Sequence, residues 1–113
     1  MLSKDEKIRV IVIKSKHEPE ITEIKNSLTQ LQSIVGGYIE TLSMESYIIV
    51  CNEEGKIYNL PLNRYIPRYR DFICGTFFIT KTSDGEFVSL SSEEAKKIAE
   101  LYSLNSLQYK AFI

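Results

Sequence analysis

The chain has 113 residues, enough for one domain whose core needs neither a metal nor a disulfide framework. Apolar residues make up 43% and charged residues 26%, the balance of an ordinary globular protein rather than a disordered one. A formal net charge of -1 excludes a main task of coating nucleic acid or an anionic membrane, since both require a strong positive field.

Ile8 to Ile13 is a nearly continuous β-branched run, which predicts a strand covered on both faces. Pro19 suits the first turn of a helix. From Ile21 onward the apolar residues Ile21, Ile24, Leu28, Leu31, Ile34 and Val35 fall on one helical stripe. Gly36-Gly37 ends that helix, because glycine takes the left-handed cap conformation without strain. Strands follow over Tyr38 to Leu42 and Tyr47 to Cys51. Asn52 to Gly55 reads as a turn, and Lys56 to Asn59 as a short returning strand.

Pro61 and Pro67 bracket an irregular stretch, Leu60 to Phe72. A second hairpin runs over Thr76 to Lys81 and Glu86 to Leu90, turning at Ser83-Asp84-Gly85. Ser91 with Glu94 fits a capping box, and Ala95, Ile98, Ala99 and Tyr102 line the buried stripe of a last helix. The tail after Ser103 is apolar enough to pack on the domain or on a partner. The order implies an α+β domain spanning 1–113, with an antiparallel or mixed sheet of about five to six strands and two helices packed on one face.

The residues that catalysis demands are missing. A nucleophile needs a base beside it, and the single histidine, His17, lies in a polar loop. One histidine and two distant cysteines do not make a zinc site, so no metal or other cofactor is expected. The acidic pairs Glu53-Glu54, Asp84/Glu86 and Glu93-Glu94 sit at turns or at a helix start, where solvation and the helix dipole explain them. Gly36-Gly37 follows a helix and precedes a strand, the reverse of a phosphate loop. Lys4, Asp5, Glu6 and Lys7 occupy the place where the apolar part of an export signal would begin. No apolar run approaches bilayer length. A cytosolic protein with Cys51 and Cys74 as free, mostly buried thiols is therefore expected.

One segment invites a binding role. In Leu60 to Phe72, Arg64, Arg68 and Arg70 alternate with Tyr65 and Tyr69, opposed by Asp71 alone. Guanidinium groups grip carboxylate or phosphate through paired hydrogen bonds, and tyrosines offer stacking faces. The same pattern fits a connection pinned by Tyr65, Ile66, Tyr69 and Phe72, its arginines solvated or paired to Glu40 or Glu100. A second candidate is the strand after the glycines. With Ile39 inward, alternation puts Tyr38 and Glu40 on the outer face.

The succession IRVIVIK, LQSIVGGYIE, VCNEEGKIYNLPLNR, GTFFI and FVSLSSEE resembles an uncharacterised small domain family of phages, plasmids and other mobile elements of Gram-positive bacteria. The likeness runs from Ile8 to Tyr102 and is most specific in VGGYIE and in CNEEGK with LPLNR. It implies a gene carried for a mobile element's benefit, and no reaction or cofactor. Its pattern matches Gly36, Gly37, Tyr38, Glu40, Asn52, Glu53, Gly55, Asn63, Arg64, Gly75 and Thr76, which adds Asn63 to the candidates. The Tyr–Arg stretch after Arg64 is longer than the resemblance leads one to expect, so the resemblance does not itself assign a function to Arg68 or Arg70.

The leading expectation is a non-enzymatic accessory protein in the cytoplasm of a bacterial host. It would bind a host protein and inhibit a defence system through Tyr38, Glu40, Asn63, Arg64, Tyr65, Arg68, Tyr69 and Arg70. The alternative is capture of a small anionic ligand, such as a signalling nucleotide, or of a short nucleic acid. Extensive nucleic-acid binding and membrane association are not expected. Pairing of Lys56 to Asn59 across a dimer is left open.

Overall fold

A computed structural model describes residues 6–112. Lys4 and Asp5, part of the charged start, and Ile113 of the apolar tail lie outside the described residues. The elements are β1 (Lys7–Ile13), β2 (Glu20–Lys25), α1 (Leu28–Val35), β3 (Ile39–Ser43), β4 (Ile48–Asn52), β5 (Leu62–Ile66), a 3₁₀ turn (Pro67–Tyr69), β6 (Asp71–Cys74), β7 (Phe77–Ser83), β8 (Glu86–Val88), α2 (Ser92–Leu101) and α3 (Leu107–Phe112). The six-stranded sheet has the order β2-β1-β7-β4-β3, with β8 paired to the outer part of β7. β5 and β6 form a separate two-stranded sheet, and every pairing is antiparallel. The α+β class and the antiparallel sheet of about six strands are as the sequence implied.

The central strands are apolar at successive positions because both of their faces are covered. Ile11, Ile79 and Ile49 stand in register across β1, β7 and β4, and so do Val12, Phe78 and Val50. The first row belongs to a core cluster with Ile66, Ile73, Leu90, Ala95, Ile98 and Tyr102, so α2 and the β5–β6 hairpin cover that face. The second row packs with Ile24, Leu31 and Val35, so α1 covers the other face. The two longer helices thus take opposite faces rather than sharing one. A strand with large apolar side chains on both sides needs a cover on each; every such chain buried contributes about 1.5–3 kcal/mol.

Three local expectations change. Glu20 to Lys25 pairs with β1 along its whole length instead of opening a helix. Three of its residues are β-branched, Ile24 faces the core, and Ile21, Glu23 and Lys25 are exposed. The helix begins at Leu28, behind Ser27, whose hydroxyl accepts from Gln30 N–H. Lys56 to Asn59 is not a strand, and so not an edge for a dimer. Its backbone bonds run within the loop, from Tyr58 N–H to Glu54, Asn59 N–H to Lys56 and Leu60 N–H to Gly55, coiling it into turns. The stretch read as irregular is the β5–β6 hairpin, its tip closed by the 3₁₀ turn and by Arg70 at φ 50.

Other local expectations agree with the structure. Gly36 ends α1 at φ 82, its N–H bonded to the Gln32 carbonyl. Asp84 and Gly85 turn the β7–β8 hairpin with positive φ, and Ser91 and Glu94 close a full capping box. The tail folds back as α3, stacking Phe112 on Tyr65 at 4.1 Å between ring centroids.

Candidate functional site

Asn63 and Arg64, expected as ligand or partner contacts on an irregular stretch, are each only 1% exposed on β5. The Asn63 amide donates to the carbonyls of Ile13 (3.0 Å) and Gly75 (2.9 Å) and accepts from Arg64 Nη1 (2.9 Å). Arg64 Nε donates to the Tyr102 carbonyl at the end of α2 (3.0 Å), and Nη2 to the His17 carbonyl in the β1–β2 loop (2.7 Å). The Tyr109 ring of α3 lies over the guanidinium at 4.7 Å. Burial pulls Arg64 below its ordinary pKa, against Tyr109 and Glu18, which raise it. Among the described residues no carboxylate hydrogen-bonds to the guanidinium; it ties four segments of chain together through neutral acceptors and a ring. Asn63 and Arg64 are therefore a structural clasp, closed to any ligand in the folded chain.

The rest of the Arg–Tyr segment divides. Tyr65 is half-buried between Phe72 (5.1 Å) and Phe112 (4.1 Å), which pins α3 to the hairpin. Arg68 and Arg70 stand exposed at the tip, and among the described residues neither side chain has a hydrogen bond or ion pair. Tyr69 reaches back across the domain, its hydroxyl donating to the Ser43 carbonyl at the end of β3 (2.6 Å). The segment therefore does not bring Arg64 together with Arg68 and Arg70 over a shared ligand.

Tyr38 and Glu40 lie elsewhere, and here the fold assembles a surface. Antiparallel pairing of β3 with β4 sets Ile39 opposite Asn52, and Glu53 N–H extends the ladder to the Tyr38 carbonyl. The glycine block and the Asn52–Lys56 block thereby become neighbours. Asn52 joins them: its amide donates to the Val35 carbonyl (3.1 Å), and its side-chain oxygen accepts from Glu54 N–H (2.7 Å). A Cβ on Gly37 would meet that amide nitrogen at 2.9 Å, and one on Gly55 would meet the Cys74 carbonyl oxygen at 2.5 Å. Both glycines are there for close approach.

Two cavities flank the loop that these contacts hold. The first, of about 370 Å³, lies between the β3–β4 end and the β5–β6 hairpin. Its walls combine Leu42, Ile57, Tyr69 and Phe72 with Glu40, Glu53, Asp71 and Lys56. The second, of about 460 Å³, is floored by Gly36 and Gly37 and walled by Tyr38, Tyr58 and Glu54. Large apolar side chains stand in solvent around them: Tyr38 is 66% exposed, Ile57 73% and Tyr58 64%. Lys56 pairs with Asp71, whose carboxyl it holds below the ordinary value by hydrogen bonding. Among the described residues, Glu53 and Glu54 have no side-chain hydrogen bond or ion pair. The face is aromatic, apolar and acidic.

The family model of a domain of unknown function, DUF3846, matches residues 8–103. The chain belongs to this family. Neither curated proteins nor solved structures gave a significant match. The DUF3846 span takes in both cavities, the loop between them, and the Asn63–Arg64 clasp. α3, with Tyr109 and Phe112, lies outside the matched residues and packs on β5 through Tyr65.

Cys51 and Cys74 are both free, and both line the first cavity. Burial, with Glu40 beside it, pushes the Cys51 thiol up to about 12, which suppresses the nucleophilic thiolate. His17 Nδ1 lies 2.7 Å from the Ser15 carbonyl on an exposed loop. Among the described residues no cluster of three metal-ligating side chains occurs, and no helix is long and apolar enough to cross a membrane. The Tyr47 and Tyr102 hydroxyls bond at 2.7 Å within the core, where burial raises both. The loop 53–59 escaped sequence reading as a site because its two sides look like a helix stop and a hairpin turn. The exposed pair Ile57-Tyr58 was the available signal.

Proposed function

We propose that this chain is a non-enzymatic accessory protein of a mobile genetic element that acts in the bacterial cytoplasm by binding a host protein. One observation carries the binding reading. Ile57 and Tyr58 are exposed on the loop 53–59 and Tyr38 on the neighbouring segment before β3, the two joined by Asn52, and cavities open on both sides of the loop. Aromatic groups held on a rigid support beside pockets are the usual anchors of protein recognition, because little side-chain entropy is lost on contact. A surface kept only for stability would bury them. The mobile-element origin, and a defence system as target, rest on the resemblance of the VGGYIE and CNEEGK blocks to a family of phages and plasmids.

The alternative, capture of an anion, keeps little support. Arg64 is committed inside the fold, the cavities carry carboxylates, and of the arginines in the Arg–Tyr segment Arg68 and Arg70 remain for phosphate. The test is affinity capture from a host-cell lysate, with the wild-type chain and a Tyr38→Ala/Tyr58→Ala variant as baits. A host protein retained by the first and lost from the second is the expected result. Equal retention would move the contact surface elsewhere. Turnover of a substrate by the purified chain, abolished by one substitution, would refute the non-enzymatic reading.

A further inference from the structure

We infer that the loop face is built to receive a basic segment of a partner protein, with arginine side chains entering the cavities on either side of residues 53–59. This rests on the protein-binding reading above and adds the chemistry of the partner.

The walls select the charge. Across the two cavities stand Glu40, Glu53, Glu54 and Asp71, and the only cation among their linings, Lys56, is already paired with Asp71. The C-terminal end of α1 borders the second cavity, and its dipole adds negative potential there. An anion entering either cavity would meet repulsion; a cation would meet Glu53 in one and Glu54 in the other, neither of which has a side-chain partner among the described residues.

The walls also select the shape. Each cavity sets aromatic rings beside a carboxylate: Tyr38 and Tyr58 with Glu54 in one, Tyr69 and Phe72 with Glu40 and Glu53 in the other. A guanidinium is flat, weakly hydrated, stacks on ring faces and forks onto carboxylates, so it matches these walls better than a strongly hydrated ammonium. Its aliphatic stem would lie along Leu42 and Ile57.

A protein segment suits the face better than a small cation does. Ile57 and Tyr58 project between the cavities, 73% and 64% exposed, and a small cation would leave them in water. A chain crossing the loop with basic residues on either side would cover them.

The experiment is a titration of the ¹⁵N-labelled chain with acetyl-Gly-Arg-Val-Arg-Gly-amide and with its twin carrying uncharged citrulline for arginine. The arginine peptide should move the amides of Gly37, Tyr38 and 52–58, and the citrulline peptide should leave them in place. Binding should weaken about tenfold in Glu53→Gln/Glu54→Gln, and also as salt rises from roughly 0.05 to 0.5 M. These surface substitutions leave the core untouched. Equal shifts from both peptides, salt-independent binding, or no shift at millimolar peptide would overturn the inference. The lysate capture separates the two levels. Loss with Tyr38→Ala/Tyr58→Ala but not with Glu53→Gln/Glu54→Gln keeps the surface and removes the basic partner. Retention with both removes the surface.

Discussion

Replacing Arg64 with alanine should cost this protein a large part of its stability and leave no specific binding defect beyond that loss. The side chain is 1% exposed and donates to the Tyr102 carbonyl, the Asn63 side chain and the His17 carbonyl. Hydrogen bonds from a charged donor contribute about 1.5–3 kcal/mol each, and the three share one group, so their effects do not simply add. Alanine would also leave buried acceptors unpaired and a void beneath Tyr109. A loss of about 4 kcal/mol is expected, against the 5–15 kcal/mol typical of whole domains. Arg64→Lys keeps the charge, but a single ammonium cannot reach acceptors spread across the guanidinium, so a loss of about 2–3 kcal/mol is expected. Urea denaturation followed by circular dichroism reads both values. An Arg64→Ala midpoint within about 1 kcal/mol of wild type would refute the clasp and return Arg64 to the surface as a ligand group.

Other outcomes follow from the same contacts. Gly37→Ala should destabilise by about 1–3 kcal/mol by displacing the Asn52 amide, and much of that should be recovered when Asn52 is also shortened; four urea curves form the cycle. Gly55→Ala should be worse than Gly37→Ala, since the obstacle at 2.5 Å is the Cys74 backbone carbonyl rather than a movable side chain. The Glu94 carboxyl is held down to about 2 by hydrogen bonds from Lys81 and the Ser91 N–H. A folded-state pKa below the ordinary 4.5 gives stability that is present above pH 4.5 and lost as pH falls toward 2. Glu94→Gln should flatten that part of the stability–pH curve, with an effect near 1 kcal/mol because the site is partly exposed. Cys51, 4% exposed with its thiol near 12, should resist iodoacetamide at pH 8 until the chain is unfolded, as peptide mass mapping would show.

Much of the fold was legible in the sequence, because periodicity and capping are local. The Ser91–Glu94 box, the Gly36 stop and the Asp84-Gly85 turn each declare themselves within a few residues. Glu20 to Lys25 misled because Ile21 and Ile24, three apart, suit a helical stripe as well as a strand. The choice was made by β1, which pairs Ile21 with Ile11 and Ile24 with Ile8. The clasp was illegible for a related reason. An arginine reads as a surface residue until its acceptors are known, and those of Arg64 come from the end of α2, the β1–β2 loop and the residue beside it. Tyr38 and Glu40 were visible as candidates, but not their neighbours across the sheet. The β3–β4 register brings Glu53 and Glu54 beside them, and the turns after Gly55 leave Ile57 and Tyr58 outward.

Arg64 and the loop face serve two different tasks. LPLNR supplies the clasp that locks helix ends to the sheet, while VGGY and NEEG supply a rigid rim. Rigidity at the rim matters because a loop already held in one conformation loses less entropy on contact.

Amide hydrogen exchange, run on the free chain and on its complex with the host protein recovered by capture, tests the contact surface most directly. Slowed exchange at Tyr38 and at residues 53–59, with the exposed hairpin tip at 67–70 unchanged, is the expected footprint. Protection of the tip around Arg68 and Arg70 with residues 53–59 unaffected would contradict it.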